Sequence, residues 1–85
     1  MNFEWDINNI FHVARHNLTT EQIENIFIGD KSKKIVLSDV KGRYIALCMS
    51  NSKLYCIIFI KKVYSVRVIT AFRTKQKKLT ILYNE

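Results

Sequence analysis

The sequence contains no proline and only two glycines among its 85 residues. No Ser/Gly-rich or repetitive stretch interrupts it, so the composition excludes a flexible linker and predicts a single domain spanning residues 1–85. The longest uninterrupted apolar run, Leu54–Ile60, has seven residues, far fewer than the ~20 that a membrane-spanning helix needs. The N-terminus lacks the pattern of a secretory signal, and we therefore expect a cytoplasmic protein that does not enter a membrane.

Cysteine is scarce as well. Cys48 and Cys56 both fall in predicted strands with apolar neighbours, and no C-x-x-C motif is present. In a cytosolic chain such a pair is more often two buried thiols than a disulfide. His12 and His16, four apart on a predicted helix, form at most half of a metal site. We expect no metal and no small-molecule cofactor.

Acidic residues are nearly absent from the C-terminal part of the chain. Residues 1–30 hold one basic and five acidic side chains, a net charge of −4, whereas residues 31–85 hold thirteen basic and two acidic ones, a net charge of +11. Charge of one sign over a whole sheet-forming region attracts polyanions. The pattern favours nucleic acid as the partner. An anionic membrane surface or an acidic protein is the alternative.

The first thirty residues predict a strand and two helices. Phe3–Trp5 alternates as a short strand does, and Asp6 follows it as a helix N-cap. Apolar residues at helical spacing then define a core stripe on a helix that we expect to end at Asn17: Ile7, Ile10, Phe11 and Ala14. Thr19 and Gln22 form a capping box for a second helix, which ends with Gly29 as its C-terminal cap.

The remainder predicts four strands and a final helix. The strands are expected at 34–40, 43–49, 53–60 and 63–73. Thr74 is expected to cap a final helix with Leu79, Leu82 and Tyr83 on its inner side. Connections of two or three residues can join only antiparallel strands. We therefore predict an α+β domain in which helices cover one face of a four-stranded antiparallel meander.

The last predicted strand shows strict alternation. Its two sets of side chains would point to opposite faces of the sheet: Tyr64, Val66, Val68, Thr70 and Phe72 on one face, and Ser65, Arg67, Ile69, Ala71 and Arg73 on the other. This pattern places Arg67 and Arg73 on the same face. We interpret that face as the ligand-binding surface.

Several motifs in order resemble the BrnT family of toxins from type II toxin–antitoxin systems. They cover nearly the whole chain: Phe3-Glu4-Trp5-Asp6, His16-Asn17, the capping box at Thr19, Arg43-Tyr44-Ile45-Ala46-Leu47, Arg67-Val68-Ile69-Thr70-Ala71, and a basic helix that ends in Tyr83. The resemblance implies a RelE-like fold, a cytoplasmic ribonuclease that inhibits translation, and a cognate antitoxin of the ribbon-helix-helix type that binds DNA. This chain has Phe72 where the family usually has arginine, and Leu79 where it has glutamate.

Metal-independent cleavage of RNA needs cations for the phosphate and groups that move protons. The guanidinium groups of Arg43, Arg67 and Arg73 are suited to clamp phosphate. Tyr83 is a candidate proton donor or base-stacking group, as are Tyr44 and Tyr55. His16 is a candidate for proton transfer. Six lysines complete the predicted RNA-binding set: Lys41, Lys61, Lys62, Lys75, Lys77 and Lys78.

Each of these residues also has a purely structural interpretation. Tyr83 can anchor the final helix, His16 can cap its own helix, and the arginines can be ordinary charged surface side chains. The departures at Phe72 and Leu79 favour a second hypothesis, a non-catalytic module that binds nucleic acid or a protein partner on the same basic face.

Overall fold

Five strands and three helices make up the chain, and the computed structural model describes all of residues 1–85. In chain order the elements are β1 (Phe3–Glu4), α1 (Ile7–Ala14), α2 (Thr20–Gly29), β2 (Lys34–Leu37), β3 (Tyr44–Ser50), β4 (Lys53–Lys61), β5 (Val66–Thr74) and α3 (Lys77–Asn84). The predicted α+β class and order of elements are confirmed. None of the helices combines the length and apolar character needed to span a bilayer.

The strands form one mixed sheet in the order β1-β5-β4-β3-β2. Strands β2 to β5 are the predicted antiparallel meander, and β1 adds to its edge by pairing parallel to β5. The β3–β4 hairpin turns through two residues, Asn51 and Ser52, whose φ angles are 51° and 64°. A two-residue turn with both φ angles positive matches the twist of its flanking strands, and it fixes the register of the hairpin.

The helix starts follow the predicted capping chemistry. The Thr19 hydroxyl accepts a hydrogen bond from the Gln22 N–H, and the Gln22 side chain accepts one from the Thr19 N–H. Asp6 accepts from the N–H groups of Asn8 and Asn9. Each interaction satisfies a donor that the helix itself leaves unpaired. The caps therefore set both helix starts locally.

Other boundaries differ from the prediction. Helix α1 ends at Ala14, and Asn17 takes the left-handed conformation (φ 61°) in the turn that follows. Helix α3 starts at Lys77 because Thr74 is still paired in β5, where its hydroxyl accepts from the Gln76 N–H. Strand β2 ends at Leu37 and not at 40. Tertiary pairing, which a local pattern does not contain, decides these limits.

Two apolar clusters lie on opposite faces of the sheet. Face A carries Ala46, Cys48, Ile57 and Phe59 and packs against α1 and α2. The buried residues of α2 are Ile23, Ile26 and Phe27. Face B carries Leu47, Leu54 and Cys56 and packs against Leu79, Leu82 and Tyr83 of α3. The prediction that the helices share one face is therefore wrong. The seven-residue apolar run in β4 is apolar because both of its faces are covered.

The two cysteines are buried and free. Because successive side chains of a strand alternate, Cys48 projects to face A while Cys56, paired with Leu47, projects to face B. Burial raises the pKa of Cys48 to about 12 and that of Cys56 to about 11. Both side chains act as small apolar groups of the core.

The predicted core stripe of α1 is exposed. Ile7, Ile10 and Phe11 are 66%, 42% and 63% exposed, whereas Asn9 and Val13 are buried. The Asn9 side-chain amide donates to the carbonyl groups of Glu4 and Val68, both at 2.9 Å, and its oxygen accepts from the Asp6 N–H at 2.7 Å. These bonds turn the polar side of α1 toward the edge of β5. The apolar stripe consequently faces outward.

A bulge interrupts the pairing of β4 with β5. Ile58 lies opposite Thr70 and Phe59 lies opposite Val68, so Ile69 has no partner of its own. An extra residue in one strand shifts the alternation of everything beyond it. Arg67 therefore lies on face B beside Ile60, whereas Arg73 lies on face A beside Tyr55. The prediction that Arg67 and Arg73 share one face is therefore wrong, and Phe72 shares the face of Arg67.

Candidate nucleic-acid interface

The sheet gathers the predicted binding residues at two opposite ends. One group, here called the hairpin end, lies where β3 begins, β4 ends and β5 begins, and comprises Lys41, Arg43, Lys61, Lys62 and Arg67. The other, here called the basic end, lies where β4 begins and β5 runs into α3, and comprises Lys53, Arg73, Lys75, Lys77 and Lys78. Arg73 lies six positions after Arg67 along β5, roughly 20 Å at the rise of an extended chain.

Arg67 is engaged within the protein. Its Nη1 atom lies 2.8 Å from Asp6 Oδ2 and 3.3 Å from Glu4 Oε1, and its side chain is only 20% exposed. The contact follows from the topology, because the parallel pairing of β1 with β5 places Glu4 directly beside Arg67. The guanidinium therefore joins the first strand to the sheet.

The pKa values in this cluster shift together. The hydrogen bond from Arg67 lowers the pKa of Asp6, and the hydrogen bond from Lys62 lowers the pKa of Glu4. The hydrogen bond with Asp6 raises the pKa of Arg67. These shifts stabilise the ionised forms of Glu4, Asp6 and Arg67. The two negative charges offset the two positive ones, so Lys62 and Arg67 add little to the net field of the hairpin end.

Arg43 lies on the same face as Arg67. Tyr44 pairs with Phe59, so the next residue outward, Arg43, lies beside Ile60, which in turn pairs with Arg67. Two strand spacings separate the two arginine backbones, about 10 Å. Arg43 is half-buried and has no acidic partner. The hairpin end thus holds one free and one engaged guanidinium on face B.

The loop between β4 and β5 adds an exposed aromatic side chain. Val63 and Tyr64 are each 86% exposed, between Lys62 and the start of β5. Lys41 and Lys61 are also exposed and have no acidic partner. An exposed tyrosine among lysines is suited to stacking on a base.

The cationic side chains of the basic end have no acidic partners. All five of its cationic side chains are exposed, and none takes part in a salt bridge. The three salt bridges of the chain lie at the hairpin end, and they join Lys62 to Glu4, Arg67 to Glu4 and Arg67 to Asp6. Uncompensated positive charge on a small surface produces the potential that attracts a phosphate backbone.

Two of these lysines stand at an unfavourable position in their helix. Lys77 and Lys78 are the first two residues of α3, the first turn contains no acidic residue, and the N-cap Gln76 makes no side-chain hydrogen bond. A helix N-terminus carries partial positive charge and is stabilised by anions, so lysines there are mildly destabilising. Local helix stability does not explain these residues, whereas an anionic ligand would.

Tyr83 is a structural anchor. Its hydroxyl donates to Asp30 Oδ2 at 2.7 Å, and the same oxygen accepts from the Met49 N–H at 2.7 Å. The hydrogen bond with Asp30 raises the pKa of Tyr83. Burial alone would raise the pKa of Asp30, but the hydrogen bonds from Met49 and Tyr83 outweigh that effect and the pKa is lowered. This geometry holds α3 against β3. The phenol proton of Tyr83 is engaged in the hydrogen bond to Asp30.

His16 lies near the basic end and away from Arg67. Its ring centroid is 5.6 Å from that of Phe72, with the planes tilted by 46°. His16 is exposed and Phe72 half-buried. The five predicted catalytic residues are therefore not assembled in one place. No group of three or more histidine, cysteine, aspartate or glutamate side chains is close enough to hold a metal ion.

Sequence reasoning missed several residues that shape these surfaces. Glu4 and Asp6 neutralise the hairpin end, Asp30 anchors Tyr83, and Lys53 joins the basic end from the start of β4. The sequence pattern predicts the short strand that contains Glu4, but not the pairing with β5 that places Glu4 beside Arg67. The position of Lys53 follows from the two-residue turn after Ser50, which sets the register of the hairpin.

Comparisons with protein-family models, with curated proteins and with solved structures found no match.

Proposed function

We propose that this chain is an RNA-binding protein whose main contact surface is the basic end. The observation that carries the proposal is the contrast between the two ends. Every ion pair of the chain lies at the hairpin end, and five exposed cations at the basic end have none. Such a surface binds the sugar-phosphate backbone by charge, with little dependence on base sequence.

Aromatic side chains support single-stranded RNA as the ligand. Tyr55 of β4 lies beside Arg73 of β5 on face A. Phe72, the residue before Arg73 in β5, lies on face B near His16. All three rings are at least partly exposed. Bases of an unpaired strand can stack on such rings while lysines follow the backbone, whereas a duplex keeps its bases stacked inside.

The binding proposal is tested with two triple variants of equal charge. Replacing Lys75, Lys77 and Lys78 by glutamine should weaken the binding of a short single-stranded RNA by at least about tenfold, measured by fluorescence anisotropy. The matched control replaces three exposed lysines elsewhere, Lys31, Lys41 and Lys61, and so removes the same charge. Equal losses in both variants would show that only net charge matters and would contradict the proposed surface.

We also propose that the chain is a metal-independent ribonuclease of the toxin–antitoxin type, acting in the cytoplasm to inhibit translation. The resemblance of its motifs to BrnT toxins supports this activity. So does the arrangement on face B, where Arg43 and Arg67 flank Ile60 with Glu4 next to Arg67. The buried free thiols are in keeping with a reducing compartment.

The chemistry would use charge and proton transfer alone. A phosphodiester held between Arg43 and Arg67 would place its developing negative charge between two guanidinium groups. The ribose 2′-oxygen attacks phosphorus and gives its proton to the Glu4 carboxylate, while the 5′-oxygen leaves with a proton from Lys62. The Lys62 ammonium lies 2.8 Å from Glu4 Oε2, so the proposed acid and the proposed base lie next to each other.

The cleavage proposal is tested with purified protein, RNA and EDTA. Wild-type protein should cut RNA under these conditions, and Arg43→Ala and Glu4→Gln should each lower the rate by at least about a hundredfold. Arg43 has no ion-pair partner, so its replacement should leave the melting temperature unchanged. Intact RNA after prolonged incubation with folded protein that still binds RNA would leave the non-catalytic binding module as the function.

A protein partner belongs to the same proposal. The resemblance implies an antitoxin, and α1 presents an uncovered apolar stripe in which Ile7, Ile10 and Phe11 are 42–66% exposed. An amphipathic partner segment would remove this stripe from water. If the chain is a toxin, its expression in bacteria should arrest growth, and co-expression of the neighbouring open reading frame should relieve the arrest. Continued growth at full expression would contradict it.

A further inference from the structure

Strand β2 is an open edge of the sheet. It is the last strand in the order β1-β5-β4-β3-β2, so its outer N–H and C=O groups have no strand partner. It contains no proline, and its pairing with β3 runs without a bulge from Lys34 to Leu37. At the opposite edge, the Asn9 side chain of α1 donates to the Val68 carbonyl, beyond the short strand β1. An unprotected edge is a template for pairing with another strand.

Apolar side chains accompany this edge on face A. Ile35 is 47% exposed and Leu37 is 75% exposed. Beside them lies an open groove of about 230 Å³, lined mainly by Met1, Phe27, Ile35, Tyr44, Phe59 and Val66. Unpaired backbone and uncovered apolar surface thus coincide at one place. A partner strand added to β2 would satisfy both.

We propose that the partner is the same strand of a second copy, so that two chains join through antiparallel β2 strands around a two-fold axis. Such an axis, perpendicular to a continuous sheet, keeps each side chain on its own face. Residues that pair across the axis must therefore point to the same face of the sheet. Because side chains alternate along a strand, their residue numbers must differ by an even number. Register centred on Val36 meets this condition, and it pairs each copy's Ile35 with the other copy's Leu37.

The same register pairs opposite charges. Lys33 lines the same groove as Ile35 on face A, and Asp39 follows the end of β2 in the turn toward β3. With Val36 on the axis, Lys33 of each copy would come next to Asp39 of the other, just beyond the paired strands. The neighbouring even registers, centred on Ile35 or Leu37, put Lys33 opposite Leu37 or Asp39 opposite Ile35. Only the Val36 register matches cation with anion and apolar with apolar. The segment Lys33–Asp39 is thus complementary to itself.

The groove gives the pair an additional contact. Leu37 of the second copy lies opposite Ile35, whose side chain lines the groove, so the leucine side chain is directed to the groove's mouth. Ser38 remains tied to β3 because its N–H donates to the Arg43 carbonyl at 2.9 Å. Backbone hydrogen bonding to β3 therefore continues one residue beyond the end of β2. The dimer is a closed isologous pair, since each copy uses the same strand for the contact.

Sedimentation velocity over micromolar to millimolar concentrations tests this dimer in the intact chain. Wild-type protein should pass reversibly from monomer to dimer. Leu37→Lys should remain monomeric, because two lysines would then face the apolar groove. Leu37 is 75% exposed, so this change should not unfold the monomer. The control Ile81→Lys, at a 57% exposed position of α3, should dimerise like the wild type.

The register is tested by charge exchange and by crosslinking. Asp39→Lys should weaken the dimer roughly three- to tenfold, and the double variant Lys33→Glu with Asp39→Lys should restore it. Val36→Cys should form a disulfide-linked dimer under mild oxidation, whereas Ile81→Cys should not. A wild-type chain that stays monomeric throughout would overturn the proposal. So would a dimer that survives Leu37→Lys, or one that Phe11→Lys disrupts instead.

Discussion

At the residue scale, one buried amide determines how the first helix lies on the sheet. Asn9 makes three hydrogen bonds to backbone groups of β1, β5 and its own helix cap. Burying a polar side chain is favourable only when its groups are paired in this way. The apolar periodicity of α1 predicts the opposite orientation, with Ile7 and Phe11 inside. A helical pattern shows which residues share a face but not which face is buried.

Replacing Asn9 by alanine should therefore be costly. The change removes three hydrogen bonds and leaves the Val68 carbonyl buried without a donor, so we expect a loss of about 2–3 kcal/mol in the free energy of unfolding. Urea denaturation measures it. The control Asn8→Ala, at an exposed position of the same helix, should cost less than about 0.5 kcal/mol. Similar values for the two variants would contradict the role of Asn9.

The carboxylates beside Arg67 should make stability depend on acid pH. The pKa values of Glu4 and Asp6 are lowered in the folded state. Their contribution is therefore complete at neutral pH, begins to fall below their ordinary pKa of about 4, and disappears below the lowered folded values. Asp6→Asn keeps a helix-capping side chain but loses the charge. Its melting temperature should lie below that of the wild type at pH 7 and should match it in strong acid. A difference that is constant with pH would contradict this account.

At the scale of elements, the bulge at Ile69 has the largest consequence for the site. The sequence 63–73 alternates without interruption, and an uninterrupted alternation predicts one face for Arg67 and Arg73. The extra residue becomes visible only when β4 and β5 are paired, because a bulge is a property of two strands. Strand pairing also recruits β1 to β5, which brings Glu4 to Arg67. Both outcomes depend on contacts between residues distant in sequence.

Helix α3 depends on a single polar anchor for its position. Removing the Tyr83 hydroxyl by Tyr83→Phe should cost about 1.5 kcal/mol, because the lost hydrogen bond is to a charged carboxylate. Amide hydrogen exchange should quicken in α3 more than in α2. Binding of RNA should weaken only slightly, since the lysines remain. The control Tyr64→Phe changes an 86% exposed residue and should leave exchange unaltered. Loss of RNA cleavage in Tyr83→Phe without faster exchange would instead indicate a catalytic role.

At the scale of the whole molecule, the sequence predicts the architecture better than the site. The two helix starts, the meander and the order of elements follow from local signals, namely capping residues, turn residues and hydrophobic period. The distribution of charge along the chain also predicts a basic C-terminal region. The charge distribution does not predict which cationic side chains lack an acidic partner. The acidic residues Glu4 and Asp6 are far from Lys62 and Arg67 in the sequence, but they form ion pairs with them in the fold.

The free cations should determine how RNA binding responds to salt. Each lysine that contacts phosphate releases about 0.7 counterion on a single strand, so the triple glutamine variant at 75, 77 and 78 should lower the slope of log K against log salt by about 2. The control triple at Lys31, Lys41 and Lys61 should leave the slope close to that of the wild type. Titrations at several potassium chloride concentrations measure it. An unchanged slope in the first variant would exclude these lysines from the contact.

Titration of isotopically labelled protein with a short single-stranded RNA, followed residue by residue by nuclear magnetic resonance, tests the central claim most directly. The account predicts that the backbone amide signals of Lys53 and of residues 73–78 shift most as RNA is added. Signals of Lys41 and of residues 61–67 should shift less, because two of the cations there are already paired with Glu4 and Asp6. Shifts confined to the hairpin end, or no shifts at all at low salt, would contradict the assignment of the basic end as the RNA-binding surface.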